Sequence, residues 1–327
     1  DLPAPAALDG RLARVAPPPS PEPRGYHFGA TCQLADLDGN GRAELLAAAA
    51  LDRAGAALDA DGTLNAEGSG GAPRGSVYIA WDDNFPALPW PRAFGFAMGS
   101  GTGTFTTLRG GPGNAAFGEE LLGGLDWDAD GSPDLFVGDL TANLVGRPES
   151  GSSHVIYGAA RLRGIDASIS ELEALSPPIP TTTIVGAGTA DISGDTAAQG
   201  DFTGDGTADL VVCSPHANPL RRHSAGSLHV LTGRAGGWPR FIDLSAPPGR
   251  PELDMWALFG AHGSFGFDRG DTLCYSAASG DVDGDGRADL ITNEMVGNGR
   301  DPSAVNVGNL LILSAAMTGM ADGGPAR

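Results

Sequence analysis

The stretch that decides the fold is GDVDGDGRADLITN, residues 280–293, in which alternating acids lead through a glycine into a short apolar run. The same pattern, D-x-D-x-D-G-x-x-D with single changes to Asn, Thr or Glu, occurs three more times. It reads ADLDGNGRAELLAAA from Ala35, LDWDADGSPDLFVG from Leu125 and GDFTGDGTADLVVC from Gly200. The apolar runs are too short for helices and are typical of buried strands. Four occurrences at similar intervals indicate a fold built from structural repeats.

Three further strand-like segments accompany each acidic loop. A glycine followed by alternating apolar residues comes after each loop, as in GSVYIAW from Gly75. Another segment precedes each loop, such as TTTIV from Thr181, and a fourth lies just before the acids, as at Phe117-Gly118. Four strands per repeat make one propeller blade. The sequence therefore predicts an all-β fold, a β-propeller, with a single domain over residues 1–327.

The spacing of the loops sets the number of blades. The loops start at Asp36, Asp126, Asp201 and Asp281, and the residues outside them together supply one more interval. The simplest architecture is a four-bladed propeller in which the N-terminal strand RLARV, from Arg11, closes the last blade. The alternative is a ring of more blades, up to seven, with some hidden between the visible repeats. The Pro-rich stretch 16–23 is then a loop or a linker.

Each acidic loop has the residue types that hold calcium. Ca²⁺ takes about six to eight oxygen ligands, so it needs several carboxylates converging from one tight turn. Side chains at positions 1, 3, 5 and 9 would supply oxygens, position 7 would supply a backbone carbonyl, and the glycine at position 6 permits the sharp turn. The predicted ligands are Asp36, Asp38, Asn40, Arg42 and Glu44 in loop one (36–44); Asp126, Asp128, Asp130, Ser132 and Asp134 in loop two (126–134); Asp201, Thr203, Asp205, Thr207 and Asp209 in loop three (201–209); and Asp281, Asp283, Asp285, Arg287 and Asp289 in loop four (281–289).

About four calcium ions are therefore expected, with the weakest site in loop three, because the hydroxyl of Thr203 is a poorer ligand than a carboxylate. An EF-hand does not fit: it needs a Glu at position 12, where these loops have Ala47, Val137, Val212 and Thr292. The alternative is that the Asp-Gly pairs only form hairpin turns. Acids clustered so closely would repel one another without a cation, which favours the calcium interpretation.

Charge and cysteine content narrow the function further. The formal net charge of −20 argues against nucleic acid and anionic membrane surfaces as partners. No apolar run is long enough for a membrane span. The chain begins at Asp1 without a signal peptide, which is typical of a processed or trimmed form. Cys32, Cys213 and Cys274 form no metal-binding pattern, and their spacing fits either one disulfide or buried free thiols.

These motifs resemble the FG-GAP repeats of the integrin α-subunit propeller and of many secreted proteins. Phe28-Gly29 and Phe117-Gly118 resemble the FG element, and Cys213-Ser214-Pro215 resembles a degenerate GAP element. Repeat three has Ile192-Ser193 where FG is expected, and in repeat four Phe265-Gly266 lies too far upstream. The resemblance implies a secreted or cell-surface propeller whose loop calcium supports adhesion or ligand binding.

The leading hypothesis is an extracellular binding module for a protein or glycan, not an enzyme. The alternatives are a secreted hydrolase or lyase with a site at the propeller centre, and a structural matrix component. No catalytic residue and no cofactor other than calcium is predicted. His154 and His229 occupy the same place in their repeats and are predicted to be strand-face residues, and Trp127 is predicted to lie in the core.

Overall fold

The structure of the protein is a computed structural model that describes residues 14–16, 28–50, 75–85, 93–95, 105–246, 253–299 and 304–314. Within these ranges the regular elements are nineteen strands and four short 3₁₀ helices, at Asp82–Asn84, Ala159–Leu162, Ile169–Ala174 and Pro219–Arg221. Among the described residues, no helix is long and apolar enough to cross a membrane. The predicted all-β class is confirmed.

Apart from a two-stranded sheet of β1 (Arg14–Ala16) and β5 (Ala93–Gly95), the strands form four sheets that follow one another along the chain. The first contains β2 (Cys32–Ala35), β3 (Glu44–Ala49), β4 (Ser76–Ala80) and β6 (Phe105–Arg109), with β10 (Asp166–Ser168) beside β6. The second contains β7 (Glu120–Gly123), β8 (Leu135–Asp139), β9 (Ser152–Ile156) and β11 (Thr181–Val185), with β15 (Phe241–Asp243) beside β11. The third contains β12 (Ala197–Gly200), β13 (Asp209–Ser214), β14 (Ser227–Leu231) and β16 (Met255–Phe259), and the fourth β17 (Leu273–Gly280), β18 (Asp289–Glu294) and β19 (Asn309–Leu313).

In each of these sheets the consecutive strands form an antiparallel meander with the acidic loop between its first and second strands, and β10 and β15 join the first and second sheets in parallel. The first three have the predicted four meander strands, and the fourth has three among the described residues. The third strands β4, β9 and β14 are buried along their whole length, because both of their faces are covered. The sheets thus have the make-up of propeller blades.

The core consists mainly of three clusters, each between neighbouring sheets. Ile79 and Val137 belong to the cluster between the first and second sheets, Phe136 and Val212 to the next, and Val211 and Leu290 to the third. The first strands of successive sheets also contact one another, β2 with β7, β7 with β12 and β12 with β17. The sheets therefore stack face to face in chain order, as blades do.

The second residue of each acidic loop shows where this stack ends. Trp127 is fully buried, as predicted, and so are its equivalents Leu37 and Phe202. The equivalent in loop four, Val282, is 54% exposed. The fourth sheet therefore has one packed face, against the third sheet, and one open face among the described residues.

The N-terminal strand does not pair as predicted. Within the expected RLARV segment, β1 (Arg14–Ala16) pairs in parallel with β5 (Ala93–Gly95) and not with the fourth sheet. Val15 packs against the small apolar cluster around Tyr78 on the first sheet, which gives this strand a buried surface beside β4. The prediction that RLARV closes the last blade is therefore wrong.

A turn with a left-handed residue precedes the first strand in each repeat. In repeats one to three the turn residue is a glycine, and its N–H donates to the carbonyl of the thirteenth residue, counted from the first aspartate of the acidic loop. The three bonds, of 2.8 to 2.9 Å, run from Gly29 to Ala48, from Gly118 to Gly138 and from Gly194 to Cys213. The positive φ of these residues makes glycine the favoured choice. Ser193-Gly194, and not Ile192-Ser193, thus occupies the FG place in repeat three.

In repeat four the FG place belongs to Leu273-Cys274, with Cys274 at a φ of 67°. The N–H of Leu273 donates to Ala225 at 2.9 Å, as the N–H of Ser193 donates to Ser150 in repeat three. Phe265-Gly266 lies in a separate hairpin, which explains its upstream position.

The cysteines follow the alternative of one disulfide and not that of buried free thiols. Cys213 and Cys274 form a disulfide between the third and fourth sheets, with their Cα atoms 5.5 Å apart. Cys32 is exposed and free. The pairing depends on Cys274 standing in the FG turn, directly opposite the previous blade, which the sequence spacing did not reveal.

Candidate metal centres

The four acidic loops share one backbone arrangement around the aspartate at position 1. In loop three, Oδ1 of Asp201 accepts from the N–H of Gly204 at 2.6 Å, and Oδ2 accepts from the N–H of Gly206 at 2.9 Å. Asp281 accepts from Gly284 and Gly286 in the same way in loop four, and loops one and two repeat the bond to position 6. The first carboxylate thus folds the loop back on itself and turns positions 1, 3 and 5 toward one another.

Three loops bring three acids into a group that can hold a metal ion. The groups are Asp36, Asp38 and Glu44; Asp126, Asp128 and Asp134; and Asp281, Asp283 and Asp285, each with one oxygen per residue within 4.8 Å of the others. Loop three, which is described throughout, has Thr203 at position 3 and forms no such group. The grouping of hard oxygen ligands suits a divalent cation such as Ca²⁺.

The acid at position 9 has a structural function that the sequence reasoning missed. One oxygen of Asp134 accepts from the N–H of Trp127 in its own loop, and the other from the N–H of Gly158 just beyond β9, both at 2.8 Å. Asp209 makes the equivalent bonds to Phe202 and Gly233, also at 2.8 Å. These carboxylates are fully buried and join the loop to the third strand of the blade.

Glu44 and Asp289 continue this arrangement. Glu44 accepts from the N–H of Leu37 at 2.6 Å and from that of Asp82 at 3.4 Å, and Asp289 accepts from the N–H of Val282 at 2.8 Å. A sequence signal was present: an acid directly at the start of a buried strand must find hydrogen-bond donors there.

Burial and neighbouring acids make the loops electrostatically unfavourable without a cation. Burial, with a smaller contribution from the carboxylates of Asp128 and Asp126, raises the pKa of Asp134 to about 7 against the opposing effect of its backbone hydrogen bonds. Burial likewise raises the pKa of Asp209 to about 6, where Asp205 is the acid that adds to it. A bound divalent cation would favour the ionised forms and so offset this penalty.

Arginines of the segment after β9 contact the first two loops from outside. Arg163 lies 3.3 Å from Asp38 and places its guanidinium 4.8 Å from the ring centre of Trp81, and Arg161 lies 3.7 Å from Asp130. The pair of Arg163 with Asp38 links the second repeat to the first at the end that carries the acidic loops, whereas the pair of Arg161 with Asp130 lies within the second repeat.

The two candidate histidines are strand residues, as predicted. His154 lies in β9 and His229 in β14, both are buried, and burial lowers the pKa of each to about 4. They stand on different blades and are not brought together.

A comparison with curated proteins gives no match for this chain. Residues 186–231, which contain β12, loop three, β13 and β14, match the family model of the FG-GAP repeat. The chain therefore contains an FG-GAP repeat, consistent with a β-propeller like that of the integrin α-subunit.

Proposed function

We propose that this chain is a calcium-binding, extracellular recognition module, a four-bladed propeller that binds a protein or glycan ligand and catalyses no reaction. The observation that carries the proposal is the repeated loop: the same hydrogen-bonded turn at the same place in four sheets, with a group of three acids in three of them. Hairpin turns alone do not require acids at positions 1 and 3, which all three groups share. The matched FG-GAP repeat surrounds one of these loops.

Calcium in this proposal stabilises the blades and does not contact the ligand. Each ion would tie positions 1 and 3 of a loop to the segment that leads into the second strand. A ligand that binds only the folded form raises the free energy of unfolding by RT ln(1 + L/Kd), where L is its concentration, that is, with the logarithm of its concentration over Kd.

A calorimetric calcium titration of chelator-stripped protein, with a melting curve at each end, tests the proposal. We expect about four ions per chain, one in each loop, and a higher melting temperature with calcium. Asp281→Asn removes the central ligand of loop four and lowers the number of ions by one. Asp166→Asn, which changes an acid outside the loops, is the matched control and leaves the number unchanged. Absence of binding, or an unchanged melt, would mean that the loops are only turns.

Engineered disulfides test the four-bladed ring. Cys213, at the thirteenth position of loop three, bonds to Cys274 in the next FG turn, and a Cβ at Gly118 would likewise meet that of Ala48. In a four-bladed ring, blade four would meet blade one. The equivalent pair is then Asn293, at the thirteenth position of loop four, and Gly29, in the FG turn of repeat one. In a chain with Cys32→Ser, the pair Gly29→Cys and Asn293→Cys forms a disulfide only if blades one and four are neighbours. Ala48→Cys with Gly118→Cys is the positive control. If this control pair forms its disulfide and the pair of residues 29 and 293 does not, the propeller does not have four blades.

Two features support an extracellular binding role. A disulfide between blades persists in oxidising compartments. Phe265 and Phe267, 89% and 96% exposed, stand on a hairpin tied to the neighbouring loop by the bond from Asn306 to the carbonyl of Phe267, at 2.8 Å. Aromatic side chains held out in this way are typical anchors for partners. Binding to a panel of glycans and extracellular proteins should weaken in Phe265→Ser, and a ligand held equally by both proteins would show that the hairpin is not the anchor.

A further inference from the structure

Two pockets occupy equivalent places on the second and third blades. Pocket A, about 400 Å³, lies over β14 and β16 and is lined by His229 and Ala257. Pocket B, about 350 Å³, lies over β9 and β11 and is lined by His154 and Thr183. The strand registers make these residues equivalent, since His154 pairs with Thr183 and His229 with Ala257. The pockets therefore differ by known substitutions at matched positions.

The histidine of pocket B has partners on both ring nitrogens. Its Nε2 lies 3.2 Å from Nδ2 of Asn114, which donates, and its Nδ1 lies 3.2 Å from Oγ1 of Thr183. A neutral imidazole with one acceptor and one donor nitrogen meets both contacts.

The histidine of pocket A has lost the hydroxyl partner. Ala257 replaces the threonine, and Nδ1 of His229 is buried with no hydrogen-bond partner among the described residues. A buried polar nitrogen left in this state is unfavourable by about 1–3 kcal/mol. Because Ala257 also lines the pocket, the position of the missing hydroxyl borders the pocket.

A carboxylate replaces the amide at the second matched position. Asn114 accepts from the N–H of Gly111 at 2.9 Å, and Asp191 accepts from the N–H of Gly188, also three residues earlier, at 2.6 Å. Asp191 is buried, lines pocket A, and has its pKa raised by that burial. Among the described residues, neither arginine nor lysine lines the pocket, whose body is apolar, with Met255 and Phe259 in its wall.

We propose that pocket A is a binding site for a small organic amine, whose N–H groups bond to Nδ1 of His229 and to the carboxylate of Asp191 while its apolar body packs on Met255 and Phe259. The amine nitrogen stands where Oγ1 of Thr183 stands in pocket B. Anions are repelled by the carboxylate. The guanidinium of Arg147, which does not line the pocket, already attracts Asp191, and an amine adds a direct partner for this carboxylate inside the pocket, which a neutral molecule does not.

The place of the pocket separates it from the calcium loops. Residues 187–191 precede β12 and residues 217–220 follow β13, so both lie at the end of the third blade opposite to loop three, which joins these strands. The rim contains Leu220, which has a positive φ and is exposed. Non-glycine residues in this backbone region are strained and concentrate at binding sites.

Three probes of one shape test the proposal on the full chain in excess calcium: benzylamine, benzyl alcohol and benzoate. We expect saturable binding of benzylamine with Kd of about 1 mM, as suits a fragment of this size. The long-range ¹H–¹⁵N spectrum should show the shift on the ring of His229 and not on that of His154. Benzyl alcohol should bind several-fold more weakly and benzoate not at all. Equal binding of benzoate, or a shift on both histidines, would overturn the proposal.

Matched variants decide whether the vacant hydroxyl position is the site. Ala257→Thr restores the partner of Nδ1, so the affinity for benzylamine should fall at least tenfold while the melting temperature is unchanged or higher. Asp191→Asn should remove the preference for the amine over the alcohol. Thr183→Ala frees Nδ1 of His154 in pocket B. That pocket has Asn114 in place of Asp191, and the Glu173 carboxylate in its wall is paired with Arg240, so the variant should show no preference for the amine. If the parent binds no amine, the proposal is wrong; stabilisation by Ala257→Thr would then show only that Nδ1 of His229 lacked a partner. The calcium titration is read separately, so failure of either proposal leaves the other testable.

Discussion

Loops two and three have nearly the same fold and a different concentration of charge. Both use the first aspartate to accept the N–H of position 6, and both bury the acid at position 9 between two backbone donors. Loop two gathers Asp126, Asp128 and Asp134 into one group, whereas Thr203 breaks the group in loop three. The turn therefore forms without a carboxylate at position 3, and in loop two that acid remains for a ligand.

The largest effect should come from removing the acid that both loops share. Asp134→Asn replaces an oxygen that accepts a backbone N–H with an NH₂ group, which leaves one buried donor unpaired. We expect a loss of about 2–3 kcal/mol in the free energy of unfolding in calcium at pH 7.5, and a similar loss for Asp209→Asn. Chemical denaturation measures both. Asp130→Asn, a half-exposed acid of loop two, is the control and should lose less than half as much. A small effect at Asp209 beside a large one at Asp134 would mean that the metal, and not the backbone bonds, makes position 9 important.

Much of this arrangement was readable from the sequence, because it depends on residues close together in the chain. The four loops, the strands after them and the burial of Trp127 follow from local patterns of acids, glycine and apolar residues. The bonds of Asp134 to Gly158 and the disulfide of Cys213 with Cys274 join distant segments, and spacing alone does not show which segments become neighbours.

The FG turns show a second reason why the sequence predicted some features of the fold and missed others. What the structure requires there is a residue that tolerates a positive φ, opposite the previous blade, and Cys274 meets this requirement as Gly118 does. A search for Phe-Gly therefore misses Leu273-Cys274. The closing role expected of RLARV was wrong for a related reason: the pairing of β1 with β5 depends on burial of Val15 beside Tyr78.

Exchanging the residue at position 3 should exchange the affinities of the two loops. Asp128→Thr makes loop two resemble loop three, and Thr203→Asp does the reverse. Because the number of carboxylates tunes calcium affinity, we expect each change to shift one site by roughly tenfold, about 1.4 kcal/mol, in opposite directions. Calorimetry on each variant measures the shift. If Thr203→Asp leaves the weakest site as weak as before, the backbone of loop three, and not its ligand set, limits binding.

The smallest effect should be the response of the metal-free protein to pH. Burial raises the pKa of Asp134 to about 7 and that of Asp209 to about 6, both above the unfolded value of about 3.9. A carboxyl group whose pKa is raised by folding contributes stability that is present at low pH and is lost as the pH rises through the folded value. In chelator, the contribution of Asp134 should therefore fall between pH 5.5 and 7.5 by about 1–2 kcal/mol, taken as the difference between the parent and Asp134→Asn.

Saturating calcium should remove this loss, because the cation holds the carboxylates ionised and lowers their pKa values. The same comparison between the parent and Asp209→Asn, made in chelator, should give a smaller fall in stability that is complete at a lower pH, because fewer acids surround Asp209. Melting curves at four pH values, with and without calcium, separate the two loops. Identical pH responses of the two variants would show that burial alone raises these pKa values, and that the clustered acids of loop two are too far apart, or too well hydrated, to repel one another.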